Sequence, residues 1–514
     1  MSHKYLNVGR AGDLKGKEKK LYKFFEILPG LFTWITLAGV ILGSWLFPVW
    51  IAFFIIIFDL YWLTKTIYLS FHLRANWRKM KHYLNLNWRE RLKNLKHDHI
   101  WQMVLLPFYK ESFEVVSATI ESLLKSDWSK EKMAIVLAYE ERAGDEAEKI
   151  ANMVNEKYNG KFGSFLLTKH PKDVSGEMPG KGSNIAFAAE EARKKILDAG
   201  NIPYENVLVS AFDIDTHPYP QYFLCLTWHF LTCEKPYSSS FQPVPIYNNN
   251  IWDAPAFSRV VAVSGTFWQM MQQERPERLA TFSSHSIPFK TLYEVGYWQK
   301  NMVNEDSRIF WNCFLKFDGD YQAVPISYPV SMDANLAHTF WKTSQNVYKQ
   351  QRRWTYGTAE NAAYILFGFL KNKMIPLKKK LYLLFVQFEG SWSLATNPLI
   401  IFFLGWLPLA MGGDAFNRTL ISYNLPRITR EIMMVAMLGL IMSAIISMSF
   451  LPPRPEGKKK RIYLFMILQW ILIPFTIPLF GSLPGVDAQT RLMLGKYIGF
   501  WVTPKYRKKV TRNE

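Results

Sequence analysis

Residues 27–58 contain no charged side chain. A membrane crossing takes about 20 apolar residues, so this run is too long for one crossing and too apolar for a surface helix. Pro48 divides it. The segments 28–47 and 49–71 each have spanning length and predict a tight helical hairpin with both ends on one side. The second carries Asp59 and Lys65. Lys65 is long enough to snorkel to the interface, whereas Asp59 is expected to face protein or a polar cavity.

The composition fits a membrane-associated chain. Of 514 residues, 49% are hydrophobic and 16% aromatic, yet 20% are charged, so a large polar domain must balance the apolar segments. The net charge of +20 reads as cytoplasmic Lys and Arg beside anionic membrane lipids, and no nucleic-acid partner is expected. Residues 72–97 hold eight Lys/Arg against one Glu, interleaved with Trp77, Tyr83 and Trp88, as a basic interfacial segment does. Cys225, Cys233 and Cys313 lack zinc-like spacing and are expected as reduced thiols. The lysine-rich start has no small-residue cleavage site, so no removable signal peptide is expected.

Further apolar segments lie at 381–411, interrupted by Glu389 and Pro398, at 432–450 and at 462–480. Basic clusters flank them at 378–380, at 458–461, and at Lys505, Arg507, Lys508 and Lys509. The positive-inside rule places these clusters in the cytoplasm of a multi-pass plasma-membrane protein. Three simple crossings after a cytoplasmic domain would leave the C-terminus outside. Pro474 and Pro478 are expected to resolve this by breaking the last segment into an interfacial or re-entrant helix, with 412–427 as the main external loop.

Residues 100–343 differ in character. Short apolar runs (103–106, 134–138, 165–168, 207–212, 260–263) alternate with charged helical segments such as 114–125 and 184–197. That rhythm predicts a Rossmann-type α/β domain with a mainly parallel sheet. A basic, aromatic, amphipathic helix over 345–370 follows. The expected organisation is a tail and hairpin (1–71), a basic linker (72–99), the α/β domain (100–343), interface helices (344–380), and C-terminal membrane helices with a basic tail (381–514).

The stretch Val207-Leu-Val-Ser-Ala-Phe-Asp-Ile-Asp-Thr-His217 carries the chemistry. An apolar strand that stops at Asp213 and Asp215 places them at its carboxyl end, where open α/β sheets bind ligands. Residues two apart on an extended chain point the same way, so both carboxylates can face one ligand. Oxygen-only ligands suit Mg2+ or Mn2+, whose shells are usually completed by substrate phosphates. The plainer explanation is a solvated turn after a strand.

Four more blocks can join this pair. Pro107-Phe-Tyr-Lys-Glu111 follows the first strand: Tyr109 can stack on a base and Glu111 can accept from a ribose or base. Gly180-Lys-Gly-Ser-Asn184 opens a helix, where glycines allow close approach and Lys181 adds charge for an anion. In Asn304-Glu-Asp306, Asp306 is placed to take a proton from an attacking hydroxyl. In Gln350-Gln-Arg-Arg-Trp354, Gln350, Arg353 and Trp354 share one helical face. Arg353 can grip a phosphate with two hydrogen bonds, and Trp354 offers a flat face to a sugar ring. Each block alone also fits an ordinary turn, cap or surface helix.

In this order, and ahead of membrane helices, the blocks resemble the membrane-embedded family-2 glycosyltransferases, the group of cellulose synthase and hyaluronan synthase. The resemblance spans residues 100–400 in motifs and the whole chain in architecture. The stretch from Asp487 to Lys496 and Val502-Thr-Pro-Lys505 also look like the tail of such enzymes. The resemblance implies a GT-A fold, a nucleotide-sugar donor (usually a UDP-sugar), a Mg2+ or Mn2+ ion and inversion at the anomeric carbon. By position, Asp213 contacts the nucleotide, Asp215 the metal, and Asp306 is the base. Gln350, Arg353 and Trp354 line the acceptor and diphosphate site. Tyr109, Glu111, Glu140 and Lys181 complete the nucleotide-sugar site, and residues 241–247 look like the loop bordering the acceptor. Two departures stand out: the acidic pair after the second strand is Glu140-Glu141 in Ala-Tyr-Glu-Glu-Arg, and Asn184-Ile-Ala replaces the common Ala-Leu-Asn.

The expected activity is inverting sugar transfer to a growing polysaccharide at the cytoplasmic membrane face, coupled to translocation, with an export partner. Single-sugar transfer to a lipid-linked glycan acceptor, or non-catalytic binding of nucleotide-sugar, are the alternatives.

Overall fold

The computed structural model describes residues 4–507. Its α/β domain is built on one sheet of β1 (Trp101–Phe108), β2 (Met133–Glu140), β3 (Ser164–His170), β4 (Val207–Ala211), β5 (His217–Pro218), β6 (Ser239–Ile246), β7 (Ser286–Pro288) and β8 (Gln322–Ser331). Their order is β3-β2-β1-β4-β7-β6-β8-β5. The first four are parallel and are the strands expected from apolar runs. β7 is antiparallel to β4 and β6, β5 is antiparallel to β8, and β6 and β8 are parallel. The sheet is thus mixed and GT-A-like, with its parallel part confined to one half. Successive β1 residues feed opposite cores: Val104 and Leu106 pack on one face, Met103 and Leu105 on the other.

Two expectations need correction. The run 260–263 is not a strand but part of the helix Ala256–Gln273. Four apolar residues cannot separate strand from helix; the wider spacing of buried Phe257, Val260, Phe267 and Met270 follows the helical period. The stretch 241–247, expected as a loop, is mostly strand β6. Pro243, Pro245, Pro325 and Pro329 disguise β6 and β8, and a register shift between Gln242 and Val244 accommodates the interruption.

The apolar hairpin is α1 (Gly16–Leu46) and α2 (Pro48–Asn85), with Pro48 starting α2 where a missing N–H costs nothing. α2 runs on through 72–85, the first half of the basic stretch, and a short helix Trp88–Leu92 follows. Asp59 is buried. Lys65 does not snorkel: it pairs with Glu389 and lies 4.3 Å over the Trp62 ring. Residues 412–427 are not one loop, since they contain the helix Gly413–Asn417 and the start of Leu420–Met448. The three cysteines are free thiols.

Four helices have the length and apolarity to cross a membrane: α1, α2, Leu420–Met448 and the broken helix Ile462–Met493. Leu377–Phe402 with Leu404–Met411 makes a fifth, bent by 50°. Both chain ends touch the α/β domain: Asn301 Nδ2 donates to the Asn7 carbonyl at 3.2 Å, and Lys505 Nζ donates to Asp215 at 2.7 Å. An even number of full crossings must therefore follow the domain, so one of the three C-terminal apolar segments does not cross. Ile462–Met493 is interrupted by a 3-10 turn at Gln469–Leu472 and a π turn at Pro478–Ser482, and Arg259 of the α/β domain donates to its Gln469 at 2.6 Å. These breaks and contacts suit an interfacial or re-entrant segment. Of the C-terminal basic cluster, Lys508 and Lys509 lie outside the described residues.

Candidate active site

β4 ends at Ala211, and Asp213 and Asp215 emerge at the carboxyl edge of the sheet. They line one cavity with Tyr109, Glu111, Glu140, Lys181, Asp306, Gln350, Arg353 and Trp354. All residues singled out from the sequence thus meet in one place.

Lys181 is the hub. Its Nζ donates to Asp213 Oδ1 at 2.7 Å and lies 2.9 Å from both Asp306 carboxylate oxygens and 3.7 Å from Glu305. Burial disfavours the ammonium, but Asp213, Asp306 and Glu305 outweigh it and hold Lys181 well above the usual lysine range. Burial also works against an ionised Asp213, yet Lys181 and Lys505 hold it below the usual carboxylate range. Glu305 is pushed up to about 7, by burial first and then by the neighbouring Asp306 charge. Its Oε2 is buried without a hydrogen-bond partner.

The glycines around Lys181 serve protein packing. A Cβ at Gly180, where φ is +155°, would sit 2.5 Å from the Phe500 ring, and one at Gly182 would sit 2.8 Å from the Gln299 carbonyl. Only glycine lets the tail and the segment before Asp306 come this close.

Other expected contacts differ in detail. Tyr109 carries the Arg142 guanidinium 4.5 Å over its ring, and Arg142 makes two hydrogen bonds to Glu140, at 2.6 and 2.9 Å. Glu111 accepts from the backbone N–H groups of Tyr109 and Lys110, at 2.7 and 3.1 Å, closing its own turn. Arg353 donates to the Val303 carbonyl at 3.4 Å, its guanidinium lies 4.6 Å over Phe500, and its Nε is buried without a partner. Trp354 meets Phe282 edge-on at 5.7 Å.

Several lining or supporting residues were not identified from the sequence. Ser283 Oγ donates to Asp213 Oδ2 at 2.7 Å. His285, fully buried, has Nδ1 2.9 Å from the Phe282 carbonyl and 3.7 Å from Asp306, while Trp298 Nε1 donates to its Nε2 at 3.3 Å. Burial pushes its pKa down, so the imidazole is neutral and supports the loop. The tail supplies Phe500, Val502, Thr503 and Lys505 to the cavity wall. Lys505 contacts Asp215, and Arg507 contacts Asp333 at 2.8 Å. No motif signalled Asp333, Ser283 or His285. Val502-Thr-Pro-Lys505 was visible, but as a terminal likeness without a place in the site.

Among the described residues no three His, Cys, Asp or Glu side chains are grouped for a metal ion. Asp215 Oδ1 is nevertheless buried without a hydrogen-bond partner, and Asp213 lines the same cavity. This donor set fits a Mg2+ or Mn2+ ion that takes its remaining oxygens from phosphate and water.

No family model matches the chain, and no curated protein matches it in sequence. Among solved structures it is similar to the mannosyltransferase PcManGT from Pyrobaculum calidifontis, in complex with GDP-Man and Mn2+, at 12% identity and TM-score 0.44 over 86% of this chain and 99% of that one. It is also similar to residues 1–349 of S. aureus TarS with UDP, at 11% identity and TM-score 0.36 over 68% and 91% of the two chains. GalNAc-T7 with UDP, GalNAc and Mn2+ is similar at 11% identity and TM-score 0.31 over 60% and 57%. None of these likenesses bears on what this chain does.

Proposed function

We propose that the protein transfers a sugar from a nucleotide-sugar, a UDP-sugar by family resemblance, to an acceptor hydroxyl at a membrane face. The observation that carries this reading is the meeting of Asp213, Asp215, Asp306, Lys181 and Arg353 around one cavity, on a helix that runs into the membrane segments. A set of acids without cations would repel a diphosphate; this set includes Lys181, Lys505 and Arg353 beside the acids.

In the proposed reaction the acceptor oxygen bonds to the anomeric carbon as the bond from that carbon to the diphosphate breaks on the opposite face. The hydroxyl proton goes to Asp306, which Lys181 holds in position. Arg353 offers parallel N–H groups to the departing diphosphate, and Trp354 presents its face to a sugar ring. A Mg2+ or Mn2+ ion held by Asp215 and Asp213 supplies charge neutralisation at the diphosphate when bound. The cavity left beside the tail is only about 110 Å³, against roughly 300–1,000 Å³ for ligand pockets. Donor entry in this reading requires Phe500–Lys505 to shift.

Two acceptors fit. A growing polysaccharide, passed to the membrane helices and an export partner, is supported by the continuity of the Trp354 helix Phe340–Lys371 with Leu377–Phe402. Single-sugar transfer to a lipid-linked acceptor is supported by the side chains next to Trp354: Tyr247, Trp252, Met332 and Met466 pack as an apolar cluster where a polymer would run. A donor screen on membranes with Mg2+ and Mn2+, reading released nucleotide and product size, tests both. A ladder of long products supports the polymer, one added unit supports the lipid-linked acceptor, and no release with any donor contradicts transfer.

A further inference from the structure

A second cationic cluster lies outside this site, at the turn that follows the helix Ala256–Gln273. Arg275 is 3% exposed. Its Nε donates to the Met271 carbonyl at 3.3 Å, but its Nη2 is buried with no hydrogen-bond partner. Arg278 Nε is also buried without a partner. Among the described residues neither guanidinium has an ion-pair partner within 4.0 Å. Lys65 of α2 stands within electrostatic range of both, and its own charge is matched by Glu389. Burial and the Arg278 charge together disfavour the charged form of Arg275. Leaving such groups unmatched is costly, and the guanidinium fork fits phosphate better than any other common anion except carboxylate.

The surroundings place this cluster at a lipid boundary. Tyr61, Lys65 and Tyr68 follow i, i+4, i+7 on one face of α2. Tyr61, Tyr68, Tyr382 and Trp268 are exposed, as aromatic side chains are at the headgroup level of a bilayer. Trp268 also lies under the Arg275 guanidinium, 5.9 Å from it.

We propose that Arg275 and Arg278 bind the phosphate of an anionic lipid headgroup, with the tyrosines and Trp268 seating its glycerol and upper acyl region. The turn leads within a few residues to Thr281, whose hydroxyl donates to the Asp306 carbonyl at 2.5 Å, and to Ser283 on Asp213. A bound headgroup would therefore brace the loop behind the site described above. This inference does not depend on which reaction that site performs.

The test uses the full chain in phosphatidylcholine nanodiscs with and without phosphatidylglycerol, with lipid retained on the protein counted by native mass spectrometry. Phosphatidylglycerol is expected to be retained preferentially. Arg278→Gln, and the double variant Arg275→Lys, Arg278→Gln, should weaken that preference about tenfold, as loss of a charge-assisted pair implies. Thermal midpoints in phosphatidylcholine alone check that the variants fold; Arg278→Gln, at a partly exposed position, serves where the buried change fails. Equal retention by folded variant and wild type overturns the proposal. Displacement of phosphatidylglycerol by millimolar inorganic phosphate also overturns it, since the site would then read free phosphate.

Discussion

Lys505 Nζ donates to Asp215 Oδ2 at 2.7 Å across 290 residues of sequence. The contact carries the tail over the cavity and supplies a positive charge at the carboxylate expected to hold a metal ion. Asp215 also accepts from the Asp333 backbone N–H at 2.9 Å, which leaves Oδ1 unpaired. Burial, and then the Asp333 and Asp213 charges, push Asp215 up, while Lys505 opposes them.

Removing that ammonium should make a divalent ion matter more. Lys505→Met is expected to lower the thermal midpoint in chelator. Mn2+ should then raise the midpoint of the variant more than that of wild type, because the ion replaces the missing charge. A thermal-shift titration with Mn2+ reads this directly, and identical responses from both proteins count against the shared position.

Lys181 joins Asp213, Asp306 and Glu305 with a side chain only 10% exposed. Lys181→Met leaves three neighbouring carboxyl groups without their shared cation. Breaking a buried pair from one side costs about 3–5 kcal/mol. Thermal or denaturant unfolding in detergent should show that loss, together with loss of donor binding.

Glu360, buried on the helix Phe340–Lys371, is raised from 4.5 to about 7 by burial, with Arg308 opposing and Glu26 adding to the rise. The folded state therefore keeps a proton that the unfolded state releases. Stability from this group is fully present below about pH 4.5 and falls as pH rises to about 7, by roughly 3 kcal/mol. Glu360→Gln should flatten that part of the curve when midpoints are compared across pH. An unchanged slope would place the titration elsewhere.

Gly357 packs the same helix against the segment before Asp306: a Cβ there would lie 2.2 Å from the Asn304 Cβ. Gly357→Ala must push the two apart, at about 1–3 kcal/mol for an overpacked contact. The thermal midpoint should fall, and turnover should fall more than donor affinity, since Asn304 leads directly into Glu305 and Asp306.

The parallel half of the sheet was legible because β1 to β4 are apolar runs buried on both faces, and the ten site residues were legible because their blocks have a recognisable order. β6 and β8 were not, because prolines interrupt their pattern. The helical run 260–263 was misread because a four-residue window carries no period. Ser283, His285 and Asp333 belong to no motif; only the folded loop between Arg278 and β7, and the end of β8, bring them to the carboxylates. Lys505 was read as membrane charge, since nothing in its neighbourhood says that a terminal lysine reaches back to Asp215.

The most direct test of the central claim is Asp306→Asn assayed beside wild type for both nucleotide-sugar binding and sugar transfer. Retained donor binding with transfer slowed on the order of 10²–10⁴ is the predicted result. Near-normal transfer by the variant would contradict it.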